Sequence, residues 1–179
     1  MSLLQTTHAP APTFGAEIRA AAIYVFTAIV ALLLQTTVLH GLTGGRVIPD
    51  LILILCVYLG LHEHNLGGAT GAFLLGYLLD SFSGNLVGLH AFAMTTVYLV
   101  VYLVSRRLWM DNALSGIAMV FLGSLLKGLA IVTAFAAYLS MNLLPLGVGQ
   151  TLAEALLAAA LTPVVFSALG WTKRFAGID

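Results

Sequence analysis

The chain has 179 residues, of which 60% are hydrophobic and only 8% are charged. Soluble globular domains contain roughly 45–50% apolar and about 25% charged residues, so this composition excludes a soluble enzyme. Seven basic residues balance seven acidic ones, which leaves no positive field to attract nucleic acid. The single cysteine, Cys56, excludes an internal disulfide framework and a multi-cysteine metal cage. The composition is typical of an integral membrane protein, which has the lipid bilayer as its first partner.

Six apolar runs separated by polar breaks predict an all-α integral membrane protein, a bundle of six transmembrane helices. A helix that crosses the hydrocarbon core needs about 20 apolar residues, and the connections are too short to hold a folded extramembrane domain. The predicted spans are Ala20–His40, Val47–Leu61, Leu66–Asp80, Leu86–Val104, Ala113–Leu139 and Gln150–Trp171. This organisation gives a flexible cytoplasmic N-terminal arm over residues 1–19, a transmembrane domain over residues 20–172 and a short cytoplasmic tail over residues 173–179.

The second and third predicted helices are short for a membrane crossing. Each would cover only about 22 Å, against a hydrocarbon core of about 30 Å. The two helices therefore either cross fully, with local thinning of the bilayer, or form a re-entrant pair. Their linking turn reads His62-Glu63-His64-Asn65, and burying these polar side chains at mid-membrane is costly. This cost favours six full crossings.

The distribution of Lys and Arg predicts the orientation. Cytoplasmic loops of membrane proteins carry an excess of these residues. With six crossings, one side holds only Arg46, and the other side holds Arg19, Arg106, Arg107, Lys173 and Arg174. Both termini are therefore expected to be cytoplasmic.

Small residues recur at helical spacing in the third predicted helix. Gly67 and Gly71 lie four residues apart, and Gly76 follows on the same helix. Small residues at this spacing allow another helix backbone to approach closely. They serve either internal packing or the docking of another membrane protein, and both interpretations stay open. Gly84 and Gly88 flank a short outer turn in which left-handed backbone is expected.

Ionisable residues inside apolar segments are costly and are often functional. Four of them, Asp50, Asp80, His90 and Glu154, are expected near the outer leaflet, whereas Lys127 lies about 21 Å along the fifth helix. An unpaired ammonium is not expected at that depth. Its candidate partners are Asp80 and Glu154, and a structural Lys127–Glu154 ion pair is predicted. A proton or ion pathway and a polar contact with a partner protein are the alternatives.

The dipeptide Pro49-Asp50 is interpreted as a helix start. Proline is favoured at the first helical position, and a carboxylate stabilises the positive end of a helix.

Features of enzyme chemistry are sparse. The chain has no nucleophile elbow, no two-histidine helix motif and no dense carboxylate cluster. A triad of Ser83, His90 and Asp80 is conceivable, but Ser83 is placed in a loop and the other two at helix ends. No catalytic residue, no cofactor and no metal site is predicted, so the chain is expected not to be an enzyme.

Two segments carry a resemblance to a known family. The first runs from Arg46 to Tyr58 and reads RVIPDLILILCVY; the second runs from Gly71 to Ala91 and reads GAFLLGYLLDSFSGNLVGLHA. Together, Pro-Asp and the following Gly-x4-Gly-x3-Asp-x3-Gly-x3-Gly string resemble the rod shape-determining protein MreD family. The resemblance covers about residues 46–104, and Pro163 with Lys173-Arg174 fits the last helix and tail of that family.

This resemblance implies a non-catalytic component of the bacterial elongation complex in the inner membrane. Proteins of this family bind MreC and, through it, associate with the RodA–transpeptidase peptidoglycan synthase and with MreB filaments. The implied fold is similar to the substrate-binding subunits of energy-coupling-factor transporters, and the implied role is support of peptidoglycan synthesis and rod cell shape. Whether the protein forms a homodimer stays open.

A docking surface for MreC is the mechanistic hypothesis. The surface would combine the small-residue helix face with the polar outer helix ends. Its residues are Gly67, Gly71, Gly76, Asp50, Asp80, Gly84, Gly88 and His90. Leucine at position 71 or 76 is expected to weaken the complex and to leave membrane insertion intact.

The rival hypothesis is a substrate-binding subunit of an energy-coupling-factor type transporter. Such a subunit needs an outward-facing ligand pocket. The outer loop Ser140–Gly149, which would have to help form that pocket, carries no charged residue.

Overall fold

The computed structural model describes residues 14–39, 41, 48–63, 65–83, 87–107, 113–139 and 144–175, and six α-helices lie in these ranges. The helices are α1 (Phe14–Leu33, continued as a π-helix over Leu34–Leu39), α2 (Leu51–His62), α3 (Leu66–Ser83), α4 (Leu89–Arg107), α5 (Ala113–Leu139) and α6 (Leu144–Phe175). Each of the six predicted segments overlaps one of these helices, so the all-helical fold class is confirmed.

The helix boundaries differ from the predicted spans mainly at the two ends of the chain. Helix α1 begins at Phe14, within the predicted arm, and α6 runs from Leu144 to Phe175, into the predicted loop and tail. Pro145 suits the first turn of α6, because the backbone N–H that proline lacks would have no helical partner there. Residues 1–13 of the arm and 176–179 of the tail lie outside the described residues.

Within the described ranges, three helices are long and apolar enough to cross a membrane. They are α4, the Leu114–Ala134 part of α5 and the Thr151–Thr172 part of α6. Ala22–Val38 and α2 are shorter apolar helices. The chain is therefore a membrane protein by the length and composition of these three helices.

Helix α2 is the centre of the bundle. Every residue from Leu51 to Gly60 is buried, and α2 packs against α1, α3, α4, α5 and α6. A helix that is apolar on all sides is stable only when it is surrounded. Its 12 residues span about 18 Å, less than the hydrocarbon core, so α2 depends on its neighbours at both ends.

The outer helices pack as sequential neighbours. The most extensive contacts join α3 to α4 and α5 to α6. Met94, Val97 and Val101 of α4 and Val120 of α5 are almost fully buried and contribute to one core with α2. Asp50 at the start of α2 and Asp80 near the end of α3 lie inside the protein, where each needs a partner.

Candidate functional site

The start of α2 carries a buried ion pair. Asp50 caps this helix, and its Oδ1 accepts a hydrogen bond from the Leu53 backbone N–H at 3.0 Å. Its other oxygen, Oδ2, accepts from the Lys127 ammonium on α5. The Gln35 side-chain oxygen, on the π-helical segment, accepts from the Leu51 N–H at 3.2 Å. Three helices therefore meet at the first turn of α2.

The structure gives Lys127 a partner that was not predicted. The ammonium pairs with Asp50 of α2, because α2 is short and lies in the centre of the bundle, so that its first turn reaches the depth of Lys127. The predicted contact between Lys127 and Glu154 stays a prediction. The interpretation of Asp50 as the start of α2 is confirmed, but Asp50 is the capping residue and Pro49 precedes the helix.

A second carboxylate, Asp80 near the end of α3, caps the following helix. Its Oδ2 accepts from the backbone N–H groups of Gly88 and Ala91 at 2.9 and 3.1 Å. Its Oδ1 accepts from the His90 backbone N–H and lies 2.9 Å from His90 Nδ1. The carboxylate thereby accepts from backbone N–H groups at the N-terminus of α4 that have no acceptor within the helix. Its negative charge also stabilises the positive end of the helix dipole.

Gly88 has a conformational reason to be glycine. Its φ is +97°, a left-handed conformation that carries little steric cost without a Cβ. This turn aims the N–H groups of Gly88 and His90 at Asp80. The structure thus brings together three predicted site residues, Asp80, Gly88 and His90. A fourth, Gly84, lies outside the described residues.

The glycines of α3 divide into two classes. A Cβ added at Gly76 would lie 2.4 Å from the Ala91 Cα, and one at Gly68 would lie 2.5 Å from the Glu63 carbonyl oxygen. These two glycines allow close contacts within the protein. A Cβ at Gly71 would meet only the Leu59 Cδ1 at 3.4 Å, and the nearest atoms to one at Gly67 belong to the Asn65 side chain, with Oδ1 at 3.1 Å. Gly76 is therefore removed from the docking surface, because leucine there would disrupt the α3–α4 contact.

A groove of about 660 Å³ runs between α1 and α3. Tyr24 and Val25 of α1 form one wall, Gly67 and Gly71 of α3 lie on the other, and Leu59 of α2 contributes to the floor. Glu63 and Asn65, at the turn between α2 and α3, also line the groove. The groove is mainly apolar and has polar groups at this turn.

Sequence reasoning missed the hydrogen bonds that organise this turn. The Tyr24 hydroxyl donates to Glu63 Oε1 at 2.9 Å, and the Tyr98 hydroxyl lies 2.8 Å from the Glu63 carbonyl oxygen and 3.2 Å from that of Asn65. Asn65 Oδ1 accepts from the Gly68 N–H at 2.8 Å. The position of Asn65 directly before an apolar run was a capping signal that could have identified this last bond.

Comparison with known protein families identifies the chain. The model of the family described as "rod shape-determining protein MreD" matches residues 17–170, which is most of the chain. The chain belongs to the MreD family. No curated protein and no solved structure matches it. Membership of the MreD family makes the chain a rod shape-determining membrane component, a structural role and not a known enzyme activity.

The buried polar groups of this MreD-family chain act within the protein. Asp50, Asp80, Ser124 and Thr162 are the buried polar side chains among the described residues, and the two carboxylates are engaged as helix caps. Within the same ranges no group of three His, Cys, Asp or Glu residues is placed to hold a metal ion. The arrangement fixes helices relative to one another.

The cap made by Asp80 leads to a first prediction. In an Asp80→Asn variant, an amide NH₂ would replace one acceptor oxygen in front of backbone donors. Each donor left without an acceptor costs about 1–3 kcal/mol. We expect a clearly lower midpoint of thermal unfolding in detergent micelles. Ser81→Ala is the control, because the Ser81 hydroxyl is exposed and bonds only within its own helix. An unchanged midpoint for Asp80→Asn would show that the cap contributes no stability.

Proposed function

We propose that this MreD-family chain is a non-catalytic scaffold of the bacterial rod complex that binds MreC directly. Through this complex it would associate with the RodA–transpeptidase synthase and with MreB filaments, and it would support peptidoglycan synthesis and rod shape. Family membership over residues 17–170 is the observation that carries the proposal. The internal use of the Asp50 and Asp80 carboxylates supports a structural role.

The proposed location is the inner membrane, with six crossings and cytoplasmic termini. Three helices of sufficient length and the strong asymmetry of Lys and Arg support this topology. Helix α2 is too short to span a full bilayer alone, but all five neighbouring helices surround it. Because Leu51–Gly60 is buried among those neighbours, α2 fits a crossing within the bundle better than a lipid-exposed re-entrant hairpin. The turn between α2 and α3 is then cytoplasmic.

A second candidate function is the substrate-binding subunit of an energy-coupling-factor type transporter. One observation favours it: small-molecule sites commonly have volumes of about 300–1,000 Å³, and the groove between α1 and α3 falls within this range. Similarity of the fold to those subunits is part of this proposal.

Affinity purification from native membranes separates the two functions. The tagged chain is solubilised gently, and the recovered proteins are identified by mass spectrometry against an untagged strain. We expect MreC together with the RodA–transpeptidase pair. Recovery of an ATPase pair with a transmembrane coupling subunit would instead make the chain a transporter component. Recovery of neither set would contradict the scaffold proposal.

A further inference from the structure

We propose that the groove between α1 and α3 receives a single transmembrane helix that has Lys or Arg at its cytoplasmic end. This inference rests on the proposed function and its topology, and it assigns the surface and the chemistry of the partner. It also changes the expected docking surface. The groove and the adjoining turn replace the polar outer helix ends, because Asp50 and Asp80 are engaged within the protein.

The walls of the groove favour a helix as the occupant. From Gly67 to Leu78 the groove follows α3 for about 16 Å, or three helical turns. Gly67 and Gly71 are spaced to present one small-residue face. A Cβ added at Gly68 or Gly76 would meet backbone or aromatic atoms of the same protein, whereas the nearest atoms to one at Gly67 or Gly71 belong to the side chain of Asn65 or Leu59. The close approach that Gly67 and Gly71 permit is therefore still available to a second helix.

The negative charge at one end of the groove favours a positively charged molecule as its occupant. Among the described residues that line the groove, Glu63 is the charged one and none is Lys or Arg. Helices that enter the membrane from the cytoplasm carry Lys and Arg at that end, and the proposed topology places Glu63 on the same side. A phosphate of an anionic lipid would be repelled by this carboxylate. Charge complementarity therefore favours a protein helix with a basic flank.

Photo-cross-linking in native membranes tests the location. A benzophenone amino acid is introduced at Thr70, which lines the groove, and at Leu99 as the control. Leu99 is an exposed apolar residue of α4 outside the groove. We expect a cross-link to a single-span protein from position 70 and not from position 99. Adducts at position 70 that contain only phospholipid or a second copy of this chain would overturn the proposal.

Two matched pairs of variants test the chemistry. Gly71→Leu fills the groove, and Phe73→Leu changes an exposed residue of the same helix outside it. Only Gly71→Leu is expected to lose most of the partner recovered with the chain. Glu63→Gln removes the charge in the groove and keeps an acceptor for Tyr24, whereas Arg107→Gln removes an exposed charge of α4 outside the groove. Glu63→Gln is expected to lower recovery about two- to fivefold, the effect of losing one exposed ion pair, and Arg107→Gln to leave it near the wild-type level.

The outcomes distinguish this inference from the proposed function. Each variant is compared at equal membrane level and equal thermal midpoint, so that loss of folding is not counted as loss of binding. If MreC is recovered equally with wild type, Gly71→Leu and Glu63→Gln, the scaffold role stands and the groove is not its docking site. If wild type recovers no single-span partner, the proposed function and this inference are both wrong.

Discussion

Replacing Lys127 by methionine is expected to lower the free energy of unfolding by about 3–5 kcal/mol, the usual cost of removing one partner from a buried ion pair. The Lys127 and Asp50 side chains are only 16% and 10% exposed. Without the ammonium, Asp50 Oδ2 would lose the cation that it contacts inside the bundle. The effect is measured by reversible unfolding in mixed detergent micelles.

The double variant Asp50→Asn with Lys127→Met is the decisive control. Asparagine at position 50 keeps an oxygen that can accept from the Leu53 N–H and is itself a favourable helix cap. The double variant is expected to be more stable than either single variant, because no unpaired charge remains. Arg107→Met removes an exposed charge and is expected to change stability by less than about 0.5 kcal/mol. Additive losses in the double variant would show that Asp50 and Lys127 do not stabilise each other.

Replacing Gly76 by alanine is expected to destabilise the protein by about 1–3 kcal/mol through overpacking. The added Cβ would lie within 2.7 Å of three backbone atoms of α4, namely the His90 oxygen and the Ala91 nitrogen and Cα. Backbone atoms cannot rotate away, so α3 and α4 would have to separate. The same movement would weaken the cap that Asp80 provides for α4.

Gly71→Ala is the matched substitution on the same helix. Its Cβ would make one ordinary contact with Leu59, and alanine favours a helix over glycine by about 1 kcal/mol. We expect unchanged or slightly increased stability, measured by thermal unfolding in the same detergent. Equal losses at positions 71 and 76 would contradict the division of the α3 glycines into two classes.

The sequence predicted the helices more accurately than the contacts between them. The apolar runs located six helices, and the segment Ala113–Leu139 agrees with α5 at both ends. Hydrophobic periodicity and turn residues are local signals, so they were sufficient for this purpose. The helical role of Asp50 was similarly readable from the adjacent Pro49 and the apolar run that follows.

The contact partners of individual residues could not be predicted from the sequence, because they depend on the depth of each helix within the bundle. Lys127 was paired with Glu154 under the expectation that Asp50 lies at the membrane edge, whereas the short α2 places Asp50 inside the bundle. Gly71 and Gly76 looked equivalent in sequence, and only the packing of α4 against α3 separates them. The groove depends on the positions of α1 and α3 around α2, which no local pattern encodes.

The ion pair, the Asp80 cap and the Gly76 contact have one consequence in common. They fix α2, α3, α4 and α5 relative to one another, and α3 and α2 in turn form one wall and part of the floor of the groove. A surface held on rigid helices loses little entropy when a partner helix binds. In the proposed docking, the buried contacts would therefore support the groove without touching the partner.

The central claim is that the chain has a role in determining rod shape. The most direct test is depletion of the chain in the bacterium that encodes it. Cell length and width are measured by microscopy while the chain is depleted, with re-expression of the wild-type chain as the control. The account predicts that cells widen and become round as the chain disappears, and that re-expression restores the rods. Cells that keep growing as rods of normal width after complete loss of the chain would contradict it.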